Sequence, residues 1–84
     1  MNTSSVLQTI AAEISPYLGQ TMARSSVELH CRKLNIEPAA AVVSADQIDA
    51  LLLKLSSGMN IFIGKDKTVQ LIDSIRLKLG TVTA

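Results

Sequence analysis

Cysteine is almost absent from this chain, Cys31 being the single one. One thiol excludes an intramolecular disulfide and the multi-thiolate ligand set of a structural zinc site, so stability has to come from packing. Tryptophan is missing and Tyr17 and Phe62 are the only aromatics. The core must therefore be built from Leu, Ile, Val, Met and Ala, each fully buried Leu or Ile contributing about 1.5 to 3 kcal/mol. No sign of charge predominates either: Lys+Arg is 8, Asp+Glu is 7, and the net charge is +1. Residues 1–43 carry three basic and three acidic groups, and residues 44–84 carry five and four. Without a basic or acidic block there is no electrostatic reason to expect nucleic acid, an acidic substrate or an anionic membrane. Long apolar runs are lacking too. The longest, Ala39–Val43 and Ala50–Leu53, fall far short of the roughly 18 residues of a membrane-spanning helix. Nor does Met1-Asn2-Thr3-Ser4-Ser5 have the basic, then apolar, character of a secretory signal, so a cytoplasmic location is expected.

What is present is apolar and periodic. Hydrophobic residues make up 48% of the 84 residues and mean hydropathy is +0.33, which excludes a disordered polyelectrolyte and, at this length, a multidomain enzyme. Val6, Ile10, Ile14 and Tyr17 recur at helical spacing, and Ser4 or Ser5 can cap them, which predicts a helix over 4–14. Pro16 and Gly19 then make 15–19 a corner. A second helix is predicted over 20–34 from Ala23, Val27, Cys31 and Leu34, stopped by Asn35-Ile36-Glu37-Pro38. Residues 39–43 are too short for periodicity to assign. Ser44 followed three residues later by Gln47 is capping-box spacing, and Ile48, Leu51, Leu52 and Leu55 follow at core spacing, giving a helix over 44–57 that Ser56-Ser57-Gly58 should end. Residues 59–63 read as a short helical turn or tight connector. The last helix, 65–79, carries Thr68, Leu71, Ile72, Ile75 and Leu79 on one face; Gly80 closes it, and 81–84 read as a frayed tail. No internal repeat is evident. The expected fold is all-α: a compact bundle of four or five short helices in a single domain, 1–84.

Candidate chemistry is sparse. His30 and Cys31 are adjacent, but neighbours on a helix point about 100° apart, so one does not orient the other as a base orients a nucleophile. Cys31 lies on the apolar stripe and reads as core. A single histidine leaves no transition-metal ligand set. Asp46 and Asp49 lie one turn apart on an exposed side, where negative charge suits the start of a helix. Gly64-Lys65 resembles the end of a phosphate loop, yet Gly58 is one residue too far upstream. Lys65 and Lys67 are left as a possible anion contact. No catalytic residue, cofactor site or metal site is assigned, and an enzyme is not expected.

The segment Ile14-Ser15-Pro16-Tyr17-Leu18-Gly19, running into Gln20-Thr21-Met22-Ala23, resembles a helix-turn-helix segment of bacterial signalling proteins, in which an aromatic, an aliphatic and a glycine precede a helix rich in small residues. Gln20 stands where that segment has proline. The Tyr-Leu-Gly corner and Gly58-Met59-Asn60-Ile61-Phe62-Ile63-Gly64 are together similar to small all-helical cyanobacterial proteins connected with heterocyst differentiation. The resemblance implies a regulatory role without a defined site.

Surface supply suggests the rest. Four helical stripes already fill a small core, so Leu53, Met59, Ile61, Phe62 and Ile63 are expected to form an apolar patch. The expected function is a non-enzymatic protein–protein interaction or regulatory module in bacterial signalling or cell differentiation. Its expected partner is itself, as a homodimer, or another protein. The alternative is a small helical DNA-binding regulator, ranked lower because Lys65, Lys67 and Gln70 are the only basic and amide groups gathered at one helix start.

Overall fold

The first helix begins at Asn2, whose Oδ1 accepts from the Ser5 N–H at 2.9 Å, a side-chain cap that precedes the expected Ser4 or Ser5. The computed structural model describes residues 2–80; the expected tail 81–84 lies outside the described residues. Four helices follow one another: α1 (Thr3–Leu18), α2 (Gln20–Lys33), α3 (Ala45–Ile63) and α4 (Lys65–Leu79). The all-α bundle is as expected, with four helices among the described residues.

Two helices run past their expected ends. α1 continues through Pro16, which lacks the N–H that would bond the Ala12 carbonyl. Ser15 Oγ donates to that carbonyl instead, at 3.0 Å, so the turn keeps its partner and the helix stops only at Gly19. In α3, the serines expected to end the helix sustain it: Ser56 Oγ and Ser57 Oγ both donate to the Leu53 carbonyl, at 2.9 and 3.3 Å. Gly58 is an interior helical residue, and 59–63, expected as a connector, is the last part of α3. The capping box at the front is present, with Gln47 N–H donating to Ser44 Oγ and Ser44 N–H to Gln47 Oε1.

Each pair of helices is joined by one glycine. Gly19 has φ 83° and ψ 158°, and Gly64 φ 90° and ψ 158°, a region that L side chains scarcely enter. No other single residue can turn one helix directly into the next along this path. Between the two hairpins, 35–43 crosses without helix, held by the buried side chains of Ile36 and Val43 and by an isolated antiparallel bridge of Asn2 with Val42.

The first helices of the two hairpins bury equivalent positions. Thr3, Val6, Ile10 and Ile14 are buried in α1. Ile48, Leu51, Leu55 and Met59 are buried in α3, each at the interval that separates Gly19 from Gly64. The corner hydrogen bonds match at that interval too. Gly19 N–H donates to Ser15 O and Gly64 N–H to Asn60 O, while Ala23 N–H donates to Gly19 O and Thr68 N–H to Gly64 O. The principal helix contacts obey the same exchange, α1 with α2 and α3 with α4, α1 with α4 and α2 with α3. The helices therefore form a ring of four, one hairpin on each side. The second helices do not follow the same interval: α2 buries Val27 and Cys31 where α4 has half-buried Ile72 and Arg76, and α4 buries Leu71, Ile75 and Leu79 where α2 has half-buried Ser26, His30 and Leu34.

Ile10, Ile14, Ile48, Leu51, Leu52 and Ile75 are the largest fully buried side chains. Among them lies one polar anomaly: Thr3 is fully buried and its Oγ1 has no hydrogen-bond partner. The equivalent place in the second hairpin holds Ile48. Burying a hydroxyl without a partner is unfavourable, so Thr3→Val is expected to raise the free energy of unfolding by about 1 kcal/mol in urea titration. A loss of stability would show that the hydroxyl has a partner.

Candidate functional site

The polar candidates separate once folded. Cys31 is fully buried, and burial, with a smaller contribution from Glu28, raises its thiol pKa. Such a thiol is the opposite of an activated nucleophile. His30 is half-buried and occupies the place that Ile75 holds in the second hairpin; its Nδ1 is buried without a partner. Burial, and then the charges of Lys33 and Lys54, lower its pKa. A lowered folded pKa means that the unfolded chain binds the proton more tightly, so this contribution to stability is present above about pH 6.5 and is lost as pH falls through and below that value. Urea midpoints are thus expected to fall between pH 7 and pH 5, with a smaller fall for His30→Leu. Equal slopes in both proteins would remove His30 from the account.

Asp49 is paired with Arg76 across α3 and α4, and Lys78 with Glu13 across α4 and α1. Asp46 sits exposed in the first turn of α3. The two aspartates, adjacent on paper, have separate surroundings. Lys65 and Lys67 are exposed in the first turn of α4, with Asp66 between them. Among the described residues no group of three or more His, Cys, Asp or Glu is gathered as for a metal ion, and no helix is long and apolar enough to cross a membrane.

The five apolar residues expected as one patch fall into different places. Met59 is buried in the core and Ile63 is half-buried against it. Leu53, Ile61 and Phe62 are exposed. Leu53 and Phe62 are nine residues apart in one helix, which at 100° per residue puts them on opposite sides, about 180° apart. Phe62 stands at the corner, as Tyr17 does in the first hairpin. Leu53 and Ile61, with Ser57 between them, make an i, i+4, i+8 row along the outside of α3. α4 has a matching row, Val69, Asp73 and Leu77, all exposed. The Asp49–Arg76 pair joins the flanks of the two helices. Leu53 lies one turn from Asp49 on α3, and Leu77 is next to Arg76 in the sequence of α4.

The match between α1 and α3 supplies an internal control for part of this face. Leu53, Ile61, Val69 and Leu77 are 69, 91, 51 and 71% exposed. Their equivalents in the first hairpin are Gln8, Pro16, Arg24 and Arg32, also exposed. In α1, whose buried positions match those of α3, Gln8 stands exposed where α3 has Leu53, so packing does not require leucine there. Val69 and Leu77 were not singled out from the sequence. Aligning the chain with itself on Gly19 and Gly64 would have found them.

The first hairpin presents a different outer face. Between α1 and α2 lies an open groove of about 600 Å³, lined by Ser4, Leu7, Gln8, Ala11, Ala12, Ser15, Gln20, Arg24, Val27, Glu28 and Pro38. A second depression, of about 490 Å³, lies between the end of α2 and the crossing segment, against Arg32, Ile36 and Pro38. Ala11 and Ala12 leave room over the α1–α2 valley, and Leu7 is half-exposed on its floor. Leu52, the equivalent of Leu7, is fully buried. The α1–α2 face holds a groove lined in half by polar groups, and the α3–α4 face presents Leu53, Ile61, Val69 and Leu77 beside Asp73 and the Asp49–Arg76 pair.

Compared with known proteins, the chain matches no family model, no curated protein and no solved structure.

Proposed function

We propose that the protein is a small non-enzymatic interaction module that works by covering the outer face of α3–α4 with another protein surface, in the first instance a second copy of itself. The observation that supports this reading is the exposure of Leu53, Ile61, Val69 and Leu77, with Gln8 exposed at the position of α1 that matches Leu53. Apolar area removed from water contributes about 25 cal/mol per Å², and a cluster of such residues on a small domain is a characteristic of interaction surfaces. The Asp49–Arg76 pair beside the face is already matched in charge, so covering that pair leaves neither of its ions uncompensated. A regulatory role, as the resemblance to bacterial signalling proteins implies, is compatible with a domain that binds.

The double substitution Leu53→Glu with Leu77→Glu tests the reading. Both sites are exposed, so helicity and the urea midpoint are expected to stay within about 0.5 kcal/mol of wild type. Sedimentation between 10 μM and 1 mM is expected to show association in wild type and a monomer in the variant. A wild type that stays monomeric over this range, or a variant that associates equally, removes this face from the account.

A further inference from the structure

We infer that the seam between α2 and α3 binds a phosphate-type dianion, held between Lys33 and Lys54 with the His30 ring donating to it from Nε2. The site is separate from the apolar α3–α4 face.

Helical spacing brings the three side chains to one seam. In the ring of four, α3 has α4 on one flank and α2 on the other. The pairing of Asp49 with Arg76 marks the α4 flank. Lys54, five residues on, is turned about 140° from Asp49 and lies beyond the buried Leu51 and Leu55, on the α2 side. On α2, Arg24, Val27 and Glu28 line the groove shared with α1. His30 and Lys33, one turn apart, point about 160° and 140° away from Glu28, toward α3. The charges of Lys33 and Lys54 both act on His30, as this placement requires.

No carboxylate answers these charges. Among the described residues neither lysine has an ion-pair partner, the two ion pairs being Asp49–Arg76 and Glu13–Lys78. Glu28 faces the groove with α1, Glu37 lines the second depression with Arg32, and Asp46 is exposed in the first turn of α3. The dipole of α2 gives Lys33 a structural reason to sit in the last turn. It gives none to Lys54, which is in the middle of α3.

The imidazole supplies the third contact. Nδ1 is enclosed without a partner, so Nε2 is the ring nitrogen open to a ligand. Burial and the two lysines disfavour a proton on the ring, which leaves it neutral at pH 7. A neutral ring with its hydrogen on Nε2 donates to an anion without adding a third charge. Two ammonium groups and one N–H match a dianion with several acceptor oxygens, whereas a monocarboxylate would leave one charge unanswered.

As the only histidine, His30 reports on this seam by itself in an NMR titration. Sulfate is the first probe, because it keeps both charges over the titration range. At constant ionic strength, replacing chloride by sulfate is expected to raise the His30 pKa by about half a unit or more. Lys33→Gln with Lys54→Gln is expected to raise it already in chloride, since the like charges are gone, and to abolish the further rise in sulfate. Both lysines are exposed, and circular dichroism checks that the variant is folded. Lys65→Gln with Lys67→Gln removes the same charge from the start of α4 and is expected to keep the full sulfate response. Inorganic phosphate and phenyl phosphate, titrated separately at pH 7.5, are expected to move the His30 resonances with saturation. The tighter of the two distinguishes a free ion from a phosphoryl group on a larger molecule, and Lys33→Gln with Lys54→Gln is expected to weaken its binding at least tenfold. A His30 pKa indifferent to sulfate, a Lys33 and Lys54 variant without the rise in chloride, a sulfate response that survives in that variant or is lost with Lys65 and Lys67, or a phosphate response that never saturates overturns the site.

Discussion

Gly64→Ala is expected to lower the free energy of unfolding by about 2 to 3 kcal/mol while leaving the side-chain contacts of the wild type intact. The reason lies wholly in the backbone. Gly64 has φ 90° and ψ 158°, and a Cβ built there meets nothing within 4 Å, so no clash contributes. Gly58 provides the control: its Cβ position is equally open, but it lies inside α3 at helical φ and ψ. There alanine removes only the excess freedom of the unfolded chain, and Gly58→Ala is expected to stabilise by about 0.5 to 1 kcal/mol. One substitution at two glycines of the same helix region thus has opposite signs. Urea titration of both variants measures the contrast, and a neutral Gly64→Ala would mean that the corner does not hold this conformation. Gly19, in the same backbone region, is expected to behave as Gly64 does.

Leu52→Ala is expected to cost about 3 kcal/mol, and Leu53→Ala almost nothing. Leu52 has no exposed surface and belongs to the core, whereas Leu53, the next residue, points about 100° away and is largely exposed. Truncating Leu52 loses its transfer free energy and leaves a cavity that the surrounding aliphatic side chains fill only in part. A domain of this size has a total stability of about 4 to 12 kcal/mol, so this one change removes a quarter or more of it. Leu53→Ala instead reports on association: it is expected to leave the urea midpoint unchanged and to weaken self-association in sedimentation. Similar midpoints for the two alanine variants would contradict the burial on which both the core and the apolar face depend.

Periodicity was the most legible part of the sequence. The stripes through Val6, Ile10 and Ile14, through Ala23, Val27 and Cys31, and through Ile48, Leu51, Leu52 and Leu55 are all buried, because amphipathic helical spacing carries a direct instruction about which face leaves water. Helix ends were harder to read. Pro16 and Ser56-Ser57-Gly58 carry the composition of terminators, yet Ser15, Ser56 and Ser57 donate their hydroxyls to carbonyls one turn back. Whether a serine stops a turn or supports it depends on the rotamer it finds in the folded chain. The apolar residues near the end of α3 were equally ambiguous. A run such as Met59 to Ile63 becomes a patch, a core layer or a mixture according to where the helix ends, and extending α3 to Ile63 buried Met59.

From the sequence alone came the all-helical class, the capping box at Ser44, the corner ending at Gly19, and the absence of any disulfide framework. These follow from short-range physics, in which each residue acts on neighbours within a few positions. Tertiary structure decided that α1 and α3 bury equivalent positions while α2 and α4 do not, that Leu53 and Phe62 lie on opposite sides of α3, that Val69 and Leu77 are exposed on α4 as Leu53 and Ile61 are on α3, and that a groove opens beside Ala11 and Ala12. Each of these depends on how helices far apart in the chain are turned toward one another. That orientation is set by the shared core, which has no local signature in residue type, whereas the corners themselves are marked only by the glycines that their backbone requires.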